Sequence, residues 1–557
     1  MASAPAALVI EGGTLIDGSG SAPVPNSTVV VQGNRIQAVG QRGQVERPPG
    51  AQVIDASGKH VMPGLIDMHV HYRDWMPQLL ASHGVTSAVD LSNDPDWIFA
   101  QREGIASHKI DGPRLFVTGQ GMGAHPAMGN VFRTLSSPED ATAQTADLLG
   151  QGADLVKVYT HITSEQLDAV SEEAARHGKP VIGHINSLTA VQAADAGISA
   201  LAHATGIGAA AFADPERLAQ FKVDNEIGLA VDFPYYLMAH ADTDEKLLEK
   251  VTQKLLDKNV GVEFNFVNIA KGVTPRCGQY ELFDVHLLNR PELQYLPEDF
   301  KLRALSYNIW WDLKEEEKQR LAKGLAVMQQ FARTFARAGG RVLIGTDIQA
   351  FVIPGLSLHR ELELLVDAGL SPMEVLVDAT LGNAKFLGVA DQLGTIMPGM
   401  LADVIVIDGD PLANISATQN IRHVIQDGRE VEIGYRPHFT NQLPRNIKVE
   451  WAGNPTPAID RITPATVVEG SDTTVIEIEG RAFMREAVVQ FDGAGIPSAI
   501  VPESRLPGMP YLPLHTRIQA FVPRQFLARA GTFPITVSNP KPRGGSSNAA
   551  HLLVKFR

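Results

Sequence analysis

The sequence predicts an α/β protein in three parts. A (β/α)8 barrel is expected over residues 61–390, and a small composite β-sandwich is assembled from its two flanks, 1–60 and 391–440. A second β-sandwich is expected over 456–557. Three observations carry this. From Val61 onward, strand-like and helix-like runs alternate at the spacing of parallel strand–helix units. Short β-branched runs broken by Gly, Asn and Pro lie on both sides of that region. A last set of alternating strands follows a Pro-containing linker near "WAGNPTPAID".

The elements follow in order. "ALVIEGGTLID", "STVVVQGNRIQAVG" and "AQVIDASGKHVMPG" read as strands and turns. Then come the barrel strands "GVTSAVDLS", "PRLFVTGQG", "ADLVKVYTH", "KPVIGHINS", "ISALAHATG" and "GRVLIGTDI". Helices such as "SPEDATAQTADLLGQG" and "TSEQLDAVSEEAARHG" separate them, with Ser or Thr starts and Gly stops. Residues 207–335 are less regular. They hold "DFPYYLMAH", a charged helix, the strand candidate "VGVEFNFV" and the Trp-bearing "SYNIWWDLKEEEKQRL", and they read as the seventh unit plus insertions near the site's mouth. "GTIMPGMLADVIVIDGDPL" and "IRHVIQDGRE" return to strands and complete the small β domain. "TTVIEIEGRAF", "EAVVQFDG", "RIQAFVPRQFL", "GTFPITVSNP" and "HLLVKF" make the second sandwich.

The bulk numbers bound the partners. The chain has 557 residues, long enough for two or three domains, with 44% hydrophobic and 20% charged residues as in soluble globular proteins. A net charge of −14 without a basic cluster argues against nucleic acid or an anionic membrane as partner, leaving a small-molecule substrate. The single cysteine, Cys277, rules out an intrachain disulfide or a thiolate metal cluster. No run approaches the roughly 20 apolar residues of a membrane span. "MASAPAALVIEGGTLID" lacks the basic start and long apolar core of a signal peptide, although "ASAPAA" also suits a chain trimmed near a cleavage site. Cytoplasmic and exported locations both stay open.

The chemistry starts at "PGLIDMHVH". Residues i and i+2 of a strand face the same way, so His69 and His71 share one face of an apolar run. Two imidazoles there call for an ion between them or for each other as hydrogen-bond partners. Lys157, His184, His203 and Asp347 fall at the same end of later strands. Singly, each has a plain explanation: a lysine paired with an acid, a satisfied core histidine, or a helix cap. Their convergence at one end of a barrel favours a metal site.

These motifs, "PGLIDMHVH", "DLVKVY", "VIGHINS", "ALAHATG", "IGTD" and "GTIMPGMLADVIVID", resemble the amidohydrolase superfamily over most of residues 7–435, in its prolidase-like and imidazolonepropionase-like branch. The resemblance implies a TIM barrel holding two divalent metal ions, Zn first, with Mn, Co or Fe as alternatives. It implies His69, His71 and Asp347 on one metal, His184 and His203 on the other, and a CO2-derived carbamate on Lys157 bridging both. A carbamate is anionic, whereas an ammonium would be repelled by two cations. Such metals lower the pKa of a bridging water, and Asp347 would move its proton to the leaving nitrogen. His240, in "YYLMAHAD", competes with His203, but the run from the fifth strand through one helix leads directly to His203. Deaminases of the family carry H-x-x-E after the fifth strand, where this chain has Ser187. Hydrolysis of an amide C–N bond follows, in a dipeptide or N-acyl amino acid, with a cyclic or xenobiotic amide or ester as the alternative. An inactive scaffold whose last domain binds a partner is the alternative of another class.

The segment 456–557 resembles an Ig-like domain of the IPT/TIG type, through "ITPATVVEGSDTTVIEIEGRAF" and "SSNAAHLLV". It offers no ligand cluster and implies a packing or adhesive role, somewhat commoner on exported proteins. Substrate contacts are expected from His125, Tyr159, His161, Tyr235 or Tyr236, and from Arg73, which suits a carboxylate. Trp310 and Trp311 read either as pocket wall or as helix packing. The family resemblance also implies a homo-oligomer.

Overall fold

The computed structural model describes residues 7–123, 131–226, 233–297, 300–301, 304–305, 310–348, 352–445, 456–484, 487–500, 515–539 and 545–557. They fall into two compact units, one over Met1–Ala124 and Val131–Ile447, the other mainly over Lys448–Arg557.

The first unit is α/β with several sheets, two of them parallel. β1 (Leu65–Val70), β2 (Val85–Asp90) and β3 (Arg114–Val117) form a three-stranded sheet. β4 (Val156–Val158), β5 (Val181–Gly183), β6 (Ala200–Leu201), β7 (Gly261–Glu263) and β8 (Val342–Leu343) lie in that order in a seven-stranded sheet, next to the short strands Gly121–Met122 and Phe132–Arg133. Backbone bonds tie the two sheets together. Met68 N donates to Ile344 O (3.1 Å), His71 N to Ile348 O (3.0 Å) and Asp154 N to Val117 O (2.8 Å). β1 and β2 are buried along their whole length, as expected for parallel strands covered on both faces.

Local chemistry explains most element ends. Ser137 caps the helix Pro138–Gly150, and Thr163 with Gln166 makes a reciprocal capping box on Ser164–Arg176. The run "VGVEFNFV" departs from expectation. Its strand stops at Glu263, Asn265 turns to φ 52°, and the helix Phe266–Val273 begins. The distant Glu361 carboxylate accepts from Phe266 N (3.0 Å) and Val267 N (2.7 Å), which satisfies two N–H groups of the helix's first turn. The Trp-bearing stretch splits in a similar way into a 3-10 turn, Trp310–Asp312, and a long helix, Glu315–Arg337.

Both flanks meet in β structure. Lys59–Pro63 pairs antiparallel with Val404–Asp408, far away in sequence. Ile10, Val29 and Val31 share one apolar cluster with Val404, Val406 and Ile425.

A buried histidine pair ties this region to the helices. His359 Nε2 donates to the His83 carbonyl (2.9 Å), its Nδ1 lies 2.9 Å from Thr418 Oγ1, and His83 Nδ1 donates to Leu79 O (2.8 Å). Burial pushes His83 down to about 4, and burial with the nearby His83 pushes His359 down to about 3. The unfolded chain titrates near 6.5, so it binds more protons than the folded one below that pH, and stability is lost on acidification. The stability gap between wild type and His359→Gln is therefore expected to narrow as pH falls from 6.5 to 5, by up to about 1.4 kcal/mol per unit. Denaturant titrations at each pH measure it, and a constant gap would contradict the buried neutral state.

In the second unit, Ala458–Thr463, Thr474–Phe483, His515–Val522 and Ser498–Ile500 form one sheet. A second sheet holds Thr466–Val468, Ala550–Lys555, Gly531–Asn539, Val488–Phe491 and Ala494–Ile496. Alternate residues, Ile476, Ile478, Ile518, Ile535 and Val537 among them, fill one apolar core. Among the described residues of the whole chain, no helix is long and apolar enough to cross a membrane.

Candidate metal centre

His69 and His71 leave the C-terminal end of β1, and the other polar side chains arrive from the ends of neighbouring strands. Asp347 (φ 49°), just past β8, and His203 (φ 58°), just past β6, adopt the left-handed region, as does Asn265 past β7. Such non-glycine backbones cost on the order of 1–3 kcal/mol each and gather at functional sites. Asp, His and Asn are among the residues that tolerate them best.

Asp347 is the hub. Its Oδ1 lies 3.3 Å from His69 Nε2 and 3.2 Å from His71 Nε2, and its Oδ2 lies 3.7 Å from His203 Nε2. His69, His203 and Asp347 each offer a ligand atom within 4.8 Å of the others. The His184 ring lies 4.6 Å from that of His203, centroid to centroid. His203 thus stands close to both the Asp347 group and His184. His240 is also buried, on the helix Phe233–Ala241, but the close set with Asp347 is built on His203.

A fitted shell surrounds these groups. Glu263 Oε2 is 2.8 Å from His69 Nδ1. Asp67 Oδ1 accepts from His69 N (3.1 Å) and Thr346 N (3.0 Å), and its Oδ2 accepts from the Thr346 hydroxyl (2.7 Å). The "PGLID" aspartate thereby locks β1 to the chain carrying Asp347. Glu263 escaped the sequence reading because it sits inside an apolar run; an acid at a buried strand position was the available signal.

Electrostatics follow from burial. Desolvation holds His69 and His184 well below 6.5, and His203 is pushed down to about 3. Burial pushes the Asp347 carboxyl up, yet His69, His203 and His71 together bring it far below the usual range, so it stays ionised. Burial lowers Lys157 to about 8, against the opposing pull of Glu263 and Asp347. Glu263 and Asp67 are each raised by burial to about 7.

The remaining candidates are placed as follows. The Tyr159 ring is 4.9 Å from that of His184, at the edge of the cluster. Arg73 Nη1 donates to the carbonyls of His71 (3.1 Å) and Tyr72 (2.8 Å). His161 Nδ1 lies 2.9 Å from Thr160 Oγ1. Trp311 is 61% exposed and so walls no closed pocket, while Trp310 lies under Lys318. His125 lies outside the described residues, as do the side chains of Tyr235 and Tyr236.

Does this residue set fit divalent ions? The donors are imidazoles and carboxylates, the set that zinc and its neighbours prefer. Lys157 is 1% exposed, and its Nζ has no hydrogen-bond partner among the described residues. A buried amine of that kind is costly unless converted or compensated. The residues fit a metal centre.

Comparison with known proteins bears on the family. A model of the amidohydrolase family matches residues 60–431. The dihydroorotase of Trichlorobacter lovleyi is 46% identical over 67 residues, 12% of this chain, so the match spans only 15% of that protein's length. The imidazolonepropionase of Rubrobacter xylanophilus is 23% identical over 410 residues, covering 69% of this chain and 84% of that protein. A solved Xaa-Pro dipeptidase with methionine bound in its active site has a TM-score of 0.54 at 20% identity, covering 77% of this chain and 100% of that one. At that identity the likeness is one of fold.

Proposed function

The chain belongs to the amidohydrolase family, and from that premise we propose that it is a metal-dependent hydrolase cleaving an amide C–N bond in a dipeptide or N-acyl amino acid. The observation that carries this reading is the gathering of His69, His71 and His203 around the Asp347 carboxylate, with His184 against His203, at the ends of parallel strands. The dipeptide class draws further support from the fold shared with a Xaa-Pro dipeptidase. In the proposal the parallel strands make a (β/α)8 barrel over 61–390, and the C-terminal strands make an Ig-like accessory domain over 456–557.

His69, His71 and Asp347 would hold one divalent ion, His184 and His203 the other, and Lys157, as its carbamate, would serve both. Bound there, zinc or a similar ion supplies Lewis acidity and acidifies water. The chain's own residues supply the rest. The ionised Asp347 carboxylate accepts the proton of the attacking water and returns it to the leaving nitrogen. Arg73, whose Nη1 is anchored on the His71 and Tyr72 carbonyls, would meet the substrate carboxylate. Tyr159, packed against His184, would border the substrate. Ser187 turns its hydroxyl to Ile162 O (2.6 Å) and puts no carboxylate where the family's deaminases carry theirs, which favours hydrolysis over deamination.

The test is incubation of metal-loaded protein with pooled dipeptides, N-acyl amino acids and cyclic amides, with products read by mass spectrometry. Cleavage of the first two classes is expected. Cleavage confined to cyclic amides would overturn the substrate class, and ammonia release from amino-purines added to the same pool would overturn the reaction.

A further inference from the structure

Glu263 is the last residue of β7 and is fully buried, with a carboxylate oxygen 2.8 Å from Nδ1 of His69, itself 1% exposed. We propose that Glu263 is a positioning residue that holds His69 in the tautomer protonated at Nδ1, so that the bare Nε2 is the atom offered to a metal. The inference rests on the metal-centre reading above and extends it to a residue beyond the ligand set.

The geometry supports it from both ends of the ring. A neutral imidazole carries one proton, and a carboxylate at Nδ1 selects the form with the proton there. Nε2 then presents its lone pair to Asp347 Oδ1 at 3.3 Å. Two acceptors facing each other is unfavourable unless a cation lies between them. The same hydrogen bond strengthens the imidazole as a ligand and fixes its plane.

Packing at Gly345 accommodates this pair. A Cβ built on Gly345 would collide with Glu263 Oε1 and lie 2.9 Å from His69 Cβ. The glycine of "IGTD" therefore clears the space in which carboxylate and imidazole meet. An ordinary core position needs only volume, which glutamine would fill equally well. A positioning carboxylate needs its charge and its purely accepting character, because a glutamine amide can rotate, donate to Nδ1 and stabilise the opposite tautomer.

The experiment compares wild type, Glu263→Gln and Glu263→Asp, each stripped and reloaded with Zn or Co. Metal affinity is read by chelator competition, stoichiometry by elemental mass spectrometry, and the ligand field by the visible spectrum of the Co form. Expected for Glu263→Gln is a 10–100-fold weaker affinity at one metal, with a shifted Co spectrum and an unchanged melting temperature of the metal-free protein. Glu263→Asp is expected to fall between the two. If Glu263→Gln fails to fold, Glu263→Asp carries the test by the same readouts. Wild-type affinity and spectrum in the folded variant would overturn this proposal alone. A wild-type protein that binds no metal would overturn it together with the metal-centre reading.

Discussion

Asp347→Asn is expected to lower turnover of the cleaved amide by about 10²–10⁴-fold, the range associated with losing a positioned acid–base group. The carboxylate lies within 3.7 Å of three imidazole nitrogens, so it is the acceptor placed where the proposed reaction needs one. An amide of the same shape cannot accept that proton and is a poorer ligand. The substitution is also unusually clean. Asparagine tolerates the left-handed backbone that residue 347 adopts at φ 49°, so the turn need not rearrange. Steady-state kinetics on the identified substrate should show the loss in kcat, while thermal unfolding of the metal-free variant should stay within a few degrees of wild type. Turnover within a factor of a few of wild type would remove Asp347 from the proposed chemistry.

Lys157→Met is expected to reduce bound metal from two ions per chain to one or none and to abolish turnover. Methionine fills a similar volume, so the loss would report the amine rather than a cavity. Because Lys157 Nζ is buried without a hydrogen-bond partner among the described residues, the metal-free variant should be no less stable than metal-free wild type. Carbamate formation adds a second signature. Reloading stripped wild type should be faster with added bicarbonate than in CO2-depleted buffer, while the variant should be indifferent to it. A variant that retains two metals would show that Lys157 is not a shared ligand.

Much of this site could be read from the chain because its residues sit where short apolar strands end. His69 and His71 are separated by one buried valine, and the alternation of a strand predicts their shared face. His184, His203 and Asp347 each follow a short apolar run; His69, His203 and Asp347 offer ligand atoms within 4.8 Å of one another, and His184 stands beside His203. Glu263 was hidden by a different cause. Its run looks like one continuous strand, yet the second half is a helix whose first two N–H groups are met by the distant Glu361 carboxylate. The Asp67–Thr346 lock was equally invisible, since 279 residues separate its partners. The flanking β structure was legible as strands from β-branched runs. The register of Lys59–Pro63 on Val404–Asp408 was not, because it is set by packing between distant segments. Arg73 was read as a substrate contact from its place after His71, and the bonds of its Nη1 to two backbone carbonyls only emerge in three dimensions.

The most direct test of the central claim is anomalous diffraction from crystals of the zinc-loaded protein. Two peaks are predicted, one contacted by His69, His71 and Asp347, the other by His184 and His203, with carbamate density on Lys157 reaching both. A lone peak without density beyond Lys157 Nζ, or metal bound only elsewhere on the chain, would contradict the two-metal hydrolase described here.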